Sequence, residues 1–191
     1  MAARLTRAPV VIACFVAASV AASALPGAAE FLEFDRAALA RGQIWRAETG
    51  QLVHWSAAMA ALDLAVVGIA GACLELRSRR IACWTLLLAV VLVGLTVLVA
   101  LPSLEHYRGS SGIGSALVVA LVVDLIRRER SPVRRAVAVA IGVVFVAKLA
   151  WELATGSALP LGHLPPGVTV VPQVHLAGAI AGLAACFVPR A

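Results

Sequence analysis

The chain has 191 residues, of which 62% are hydrophobic and only 14% charged, with a mean hydropathy of +0.97. That balance excludes an ordinary soluble domain and fits a polytopic membrane protein. The formal net charge is +6, but its arginines gather at the ends of apolar runs as membrane anchors, so the basic balance does not point to nucleic acid.

Six apolar stretches are read as spans of a hydrocarbon core about 30 Å thick, which takes roughly 20 residues. They lie at about 8–26, 52–74, 81–102, 110–126, 133–155 and 171–189. The first resembles a secretory signal, with Arg4 and Arg7 ahead of it and Ala22-Ser23-Ala24 near its end. Losing it would leave five spans, so it is read as retained. The first outer loop, roughly 27–51, mixes Phe31, Phe34 and Trp45 with Glu30, Glu33, Asp35, Arg36, Arg41 and Arg46. Such a mix suits short amphipathic pieces in the headgroup layer. The fifth loop, about 156–170, has no formal charge, and Gly156, Pro160, Gly162, Pro165, Pro166 and Gly167 oppose regular helix. Such a segment suits a flexible lid, and an ordinary connector fits it equally.

Eleven of the 16 basic residues fall at the N-terminus, the second and fourth loops and the C-terminus: Arg4, Arg7, Arg77, Arg79, Arg80, Arg127, Arg128, Arg130, Arg134, Arg135 and Arg190. In a six-span protein those segments share one side. The positive-inside rule therefore puts both termini in the cytoplasm. The expected fold is an all-α membrane protein, one six-helix bundle over residues 1–191, whose partner on composition is the lipid bilayer. Cys14, Cys73, Cys83 and Cys186 lie in spans or near cytoplasmic ends, without metal spacing; they read as small packing residues. No metal or other cofactor is expected.

The chemistry concentrates in two motifs. Gly109-Ser110-Ser111-Gly112 opens the fourth span, and the sixth carries His175 with Gly178 and Gly182. A serine hydroxyl is a weak nucleophile until a neighbouring base takes its proton. Ser111 lies 16 residues before Arg127 and His175 lies 15 before Arg190, or about 24 and 22 Å of helix at 1.5 Å per residue. Asp63 lies 14 residues before Arg77, about 21 Å by the same rise. All three polar groups therefore fall near one depth, recessed from the outer face. Gly178 and Gly182 form a G-x-x-x-G face, and Gly112 and Ser115 supply small residues on the fourth span, so two backbones can approach closely. Helix packing alone explains the same glycines. Ser110 is a competing nucleophile from sequence. The backbone N–H of Ser111, at a helix start, suits an oxyanion.

These residues resemble the rhomboid intramembrane serine proteases, through G-x-S-G at Gly109 to Gly112, H-x-x-G-x-x-x-G at His175, Gly178 and Gly182, and Trp45-Arg46 followed by His54. The details look most like rhombosortase, a bacterial subfamily associated with proteins ending in Gly-Gly, an apolar helix and a basic tail. The supporting segments include Arg41 to Arg46, Thr49 to His54, Tyr107 to Gly112, Lys148 to Glu152 and Val174 to Leu176. The resemblance implies a Ser–His dyad, with Ser111 as nucleophile, His175 as general base and no third acidic member needed. It also implies cleavage of transmembrane protein substrates in a bacterial inner membrane. Gly109, Ser110, Asp63 and His54 are the candidate oxyanion or supporting residues around the pair, and His54 can equally serve to structure the first loop.

The pattern breaks on the second span. Rhomboids usually carry oxyanion-helping histidine and asparagine five and nine residues after the position of His54; here Met59 and Asp63 stand there. Methionine donates no hydrogen bond and an ionised aspartate repels an oxyanion. Asp63 is either a protonated donor or a structural acid bonded to a neighbouring helix. Lys148 and Glu152 are i,i+4 and can pair with each other, Asp124 is expected to pair with Arg127 and Arg128, and His106 and His163 read as solvated. An intramembrane serine endopeptidase is the leading reading, cutting single-span proteins near the outer membrane boundary. The alternative is a weak or inactive relative that binds transmembrane helices. A solute transporter calls for a polar pathway through the centre, whereas this chain clusters its unpaired polar groups near the outer face.

Overall fold

In the computed structural model, the structure describes residues 8–157 and 167–188. Arg4, Arg7 and Arg190, together with Pro160, Gly162, His163, Pro165 and Pro166 of the fifth loop, lie outside the described residues, and with them the core of the lid reading.

Each of the six apolar stretches contains one helix: α1 (Val10–Ala24), then, after three short helices, α5 (Ala57–Arg77), α6 (Arg79–Leu95), α7 (Ser111–Arg128), α8 (Pro132–Thr155) and α9 (Pro172–Ala185). Their starts follow local chemistry. Ser56, Ser78 and Ser131 cap α5, α6 and α8, accepting from the N–H groups of Met59, Ile81 and Arg134. Pro132 and Pro172 stand in the first turns of α8 and α9, where no donor is missed. Gly156 closes α8 in the left-handed conformation, at φ +64°.

Among the described residues, α5, α6 with its extension to Ala100, and α8 are long and apolar enough to cross a membrane by length and composition. The other three are shorter or more polar than the spans expected for them: α1 has 15 residues and α9 has 14. The 18-residue α7 ends in Asp124, Arg127 and Arg128. It is also the centre of the bundle. Nine of its residues are buried, including Gly112, Ile113, Ala116, Leu117 and Ala120, and it packs against α5, α6, α8 and α9. By contrast, only Ala138 and Glu152 of α8 are buried.

The first helix is a full member of the bundle. Ile12 is almost wholly buried and fills the space above Gly71, where an added Cβ would lie 2.7 Å from its Cδ1. The buried Glu75 carboxylate accepts from the N–H groups of Val11 and Ile12 at 3.2 and 3.0 Å. Two of the orphan donors at the start of α1 are thus met by another helix.

The first loop is more ordered than its composition suggests. It holds α2 (Ala28–Leu32), β1 (Phe34–Asp35), α3 (Arg36–Ala40), α4 (Arg46–Thr49) and a 3-10 turn at Gly50–Leu52. β1 pairs antiparallel with β2 (His106–Tyr107), Phe34 opposite Tyr107, so the all-α expectation gains one two-residue pairing. The helical rise of α6 widens into a π turn over Thr96–Ala100. Arg36 answers the carbonyls near that end, donating to Val97, Leu98, Leu101 and Leu104 at 2.8–3.1 Å. Arg46 donates to the carbonyls of Glu30 and Glu33. The loop is therefore tied to the segment that leads into Ser111.

Two sequence expectations need correction. Cys14, Cys73 and Cys83 are exposed on outward faces and only Cys186 is partly buried; a thiol is apolar enough to sit on such a surface without packing. Asp124 pairs with Arg77 at 2.7 Å and Arg128 at 3.2 Å, while Arg127 lies over the Phe187 ring instead. The i,i+4 geometry favours Arg128 over Arg127.

Candidate active site

Ser111 is the first residue of α7, and His175 sits in the first turn of α9. The two helices meet through backbone. A Cβ on Gly178 would collide with the carbonyl of Gly112, and one on Gly182 with the carbonyl of Ala116. On Gly112, a Cβ would lie 2.7 Å from Val93 Cγ2 and 3.0 Å from the Val174 carbonyl. At that approach His175 Nε2 lies 3.0 Å from Ser111 Oγ, within the range of an O–H···N hydrogen bond. Ser115 packs one turn further down, its hydroxyl donating to the Ser111 carbonyl at 2.9 Å.

The other ring nitrogen has a partner too. His175 Nδ1 is 2.8 Å from Glu152 Oε2, and Glu152 Oε1 accepts from Lys148 Nζ at 2.7 Å. The i,i+4 pair on α8 forms as its spacing suggests, but it also reaches α9. Reading Lys148 and Glu152 as satisfied by each other missed this contact. A carboxylate has two oxygens, and one lysine occupies one of them.

Ser110 and Ser111 separate clearly. Ser110 is fully buried and its Oγ lies 3.1 Å from His54 Nε2. Ser111 lines two cavities of about 530 Å³ each. One is almost wholly apolar, walled by Val66 on α5, Gly114 and Val118 on α7, and Val137, Ile141 and Phe145 on α8. The other opens under Trp55, Met59, Leu104 and Arg108. Asp63, Lys148 and His175 line both.

Asp63 and His54 belong to the Ser110 side of this arrangement. Asp63 Oδ2 accepts the Ser110 N–H at 3.0 Å and lies 3.4 Å from His54 Nε2. Gly109 adopts φ +137°, a conformation few side chains tolerate. Its N–H donates to the Gly50 carbonyl at 3.1 Å, and its own carbonyl accepts from the Tyr107 hydroxyl at 3.0 Å. Burial, with the negative Asp63 adding to it, holds the Tyr107 phenol well above its usual range, so it stays protonated. This turn sets the start of α7. The first helical bond runs from the Gly114 N–H to the Ser110 carbonyl, so the N–H groups of Ser111, Gly112 and Ile113 have no carbonyl within the helix to bond. Partial positive charge therefore collects beside the Ser111 hydroxyl.

His106 is half exposed, 3.6 Å from Glu33, and takes no part in the cluster. Glu33, Asp35 and His106 lie close enough together to suggest a metal. Their charges are already engaged: Glu33 with Arg108 at 2.8 Å, and Asp35 with the Ala38 N–H.

The apolar helices, three of them long and apolar enough to cross a membrane, make this an all-α membrane protein in which a serine and a histidine face each other at two helix starts. The Rhomboid domain family model matches residues 41–190, and the chain belongs to the rhomboid family. Members of that family are intramembrane serine proteases that act on transmembrane substrates within the bilayer. A search of curated proteins returns no match to the chain.

Proposed function

We propose that this chain is an intramembrane serine endopeptidase in which Ser111 is the nucleophile and His175 the general base. The observation that carries it is the 3.0 Å approach of His175 Nε2 to Ser111 Oγ at the edge of two cavities. The Ser111 oxygen bonds to the scissile carbonyl carbon while its proton moves to Nε2. The same proton then goes to the leaving amine as the C–N bond breaks, giving an ester on Ser111. Water attacks that ester as its proton passes to Nε2, and Nε2 returns the proton to the Ser111 oxygen as the ester C–O bond breaks, releasing the new carboxyl end and the free serine. The N–H groups at the start of α7, which have no carbonyl to bond within the helix, supply the oxyanion donors in this reading.

The proposed setting is six spans in a bacterial inner membrane, both termini cytoplasmic, with the site near the outer boundary. The apolar cavity between α5 and α8 suits a substrate helix arriving from the lipid, and the second cavity suits its unwound end and the water. Single-span proteins with C-terminal Gly-Gly-type anchors are the proposed substrates, on the rhombosortase-like segments of the sequence.

A second reading, a relative that binds helices without cutting them, draws on Met59 and Asp63. Methionine donates no hydrogen bond, and the observed hydrogen bond of Asp63 is one it accepts. Treating the purified protein with a serine-reactive fluorophosphonate separates the two readings. Labelling that falls by at least about 10³-fold in both Ser111→Ala and His175→Ala supports the enzyme; no labelling and no cleavage of any single-span substrate supports the binder.

A further inference from the structure

We propose that Glu152 is a positioning residue for His175, and that Lys148 dictates which part of the Glu152 side chain faces the ring. This deepens the Ser111–His175 reading and rests on it. For His175 to take the Ser111 proton, Nε2 must present a lone pair, so the neutral ring carries its hydrogen on Nδ1. Among the described residues two groups face Nδ1, both from α8: Glu152 Oε2 at 2.8 Å and Lys148 Nζ at 3.4 Å. They ask for opposite tautomers. An ammonium only donates, which would move the ring hydrogen to Nε2 and turn a donor toward Ser111. A carboxylate only accepts, which holds the hydrogen on Nδ1.

The distances favour the carboxylate, because Nζ is already committed to Glu152 Oε1 at 2.7 Å. Glu152 is 2% exposed and both its oxygens are engaged, so it holds one orientation. Once Nε2 takes the proton, the same carboxylate faces a charged imidazolium across a charge-assisted hydrogen bond. Ser111 faces the ring from α7, and Asp63 on α5 lines the same cavities. Neither of them contacts Nδ1 in the structure.

The arrangement makes an unusual prediction for Glu152→Gln. Lys148 can only donate, so it draws the amide oxygen to the Oε1 position. The amide NH₂ is left at the Oε2 position, where it donates to Nδ1 and drives the ring hydrogen onto Nε2. Fluorophosphonate labelling of the full-length protein should then slow by about 10²–10⁴-fold, as expected for a wrong-tautomer histidine. In ¹⁵N-histidine-labelled protein, the His175 signals should change from the Nδ1–H to the Nε2–H pattern. Lys148→Met added to Glu152→Gln frees the amide to turn its oxygen toward Nδ1, and should recover at least about tenfold of the lost rate through non-additivity. A side chain that merely braces the bundle gives neither the tautomer change nor the rescue.

Glu152→Gln labelling at the parent rate with the parent tautomer, while Ser111→Ala and His175→Ala are silent, overturns the role of Glu152 and leaves the Ser–His pair standing. A double variant no faster than Glu152→Gln overturns the role of Lys148. Labelling that persists in Ser111→Ala or His175→Ala overturns the underlying pair and this proposal with it.

Discussion

Gly178 of α9 lies against the carbonyl of Gly112 on α7 with no room for a side chain between them. Both residues are one turn or less from Ser111 or His175, so this backbone contact sets the distance between those two side chains. Gly178→Ala should force the helices apart, lowering stability by about 1–3 kcal/mol and slowing fluorophosphonate labelling. Gly68, on α5, has open space where a Cβ would go. Gly68→Ala should leave labelling intact and raise the melting temperature, since alanine is the better helix former by up to about 1 kcal/mol. Melting curves in detergent beside labelling rates check both signs.

The adjacent serines should behave differently. Ser110→Ala removes the hydrogen bond to His54 from a fully buried site, at a cost of about 0.5–1.5 kcal/mol in stability. Its labelling should stay within about tenfold of the parent, whereas Ser111→Ala should abolish it. Mass spectrometry of the labelled peptide identifies the modified serine directly.

Asp63 can be separated by two substitutions. Asp63→Asn keeps a carbonyl to accept the Ser110 N–H, so folding and the turn before α7 should survive. Asp63→Ala leaves that donor unpaired and should cost about 1–3 kcal/mol. If Asp63 acts only on the turn, cleavage follows stability in both variants. Faster turnover in Asp63→Asn at equal stability would show that the acid's charge opposes the oxyanion. Equal activity in both would remove Asp63 from the mechanism.

Glu48 offers a pH test outside the spans. Burial raises its carboxyl above the usual carboxylate range, in the space left by Gly94. A group whose folded value is raised contributes stability below its unfolded value, 4.5, and that contribution is lost as pH rises through the folded value. Glu48→Gln should therefore raise the melting temperature near pH 7, with the gain shrinking toward pH 4. A gain that grows on acidification would contradict this assignment.

At the start of α1, Glu75 holds two backbone donors and Arg79. Glu75→Ala should cost about 2–4 kcal/mol by orphaning those groups and loosen α1 selectively. Faster thiol labelling of Cys14 beside unchanged labelling of Cys83 would register that loosening.

The helices were legible because an apolar run of membrane length leaves the backbone few alternatives. Depth arithmetic also brought Ser111, His175 and Asp63 to one level, and all three line the same cavities. What escaped was the second partner of groups that already had a first. Lys148 and Glu152 satisfied each other on paper, and nothing in their spacing pointed 23 residues onward to His175. The Phe34–Tyr107 pairing escaped for a related reason: two residues are too few to show a strand period. An unclaimed carboxylate oxygen in an apolar bundle was the one available signal.

The sparse burial of α8 carries a mechanical corollary. The helix that holds Glu152 is anchored at only two buried positions, while its partners α7 and α9 are locked backbone to backbone. A displacement of α8 would therefore move the carboxylate relative to His175 while leaving serine and histidine in register. The carboxylate and the Ser111–His175 pair are mounted on separately held parts of the bundle, like the two plates of a clutch.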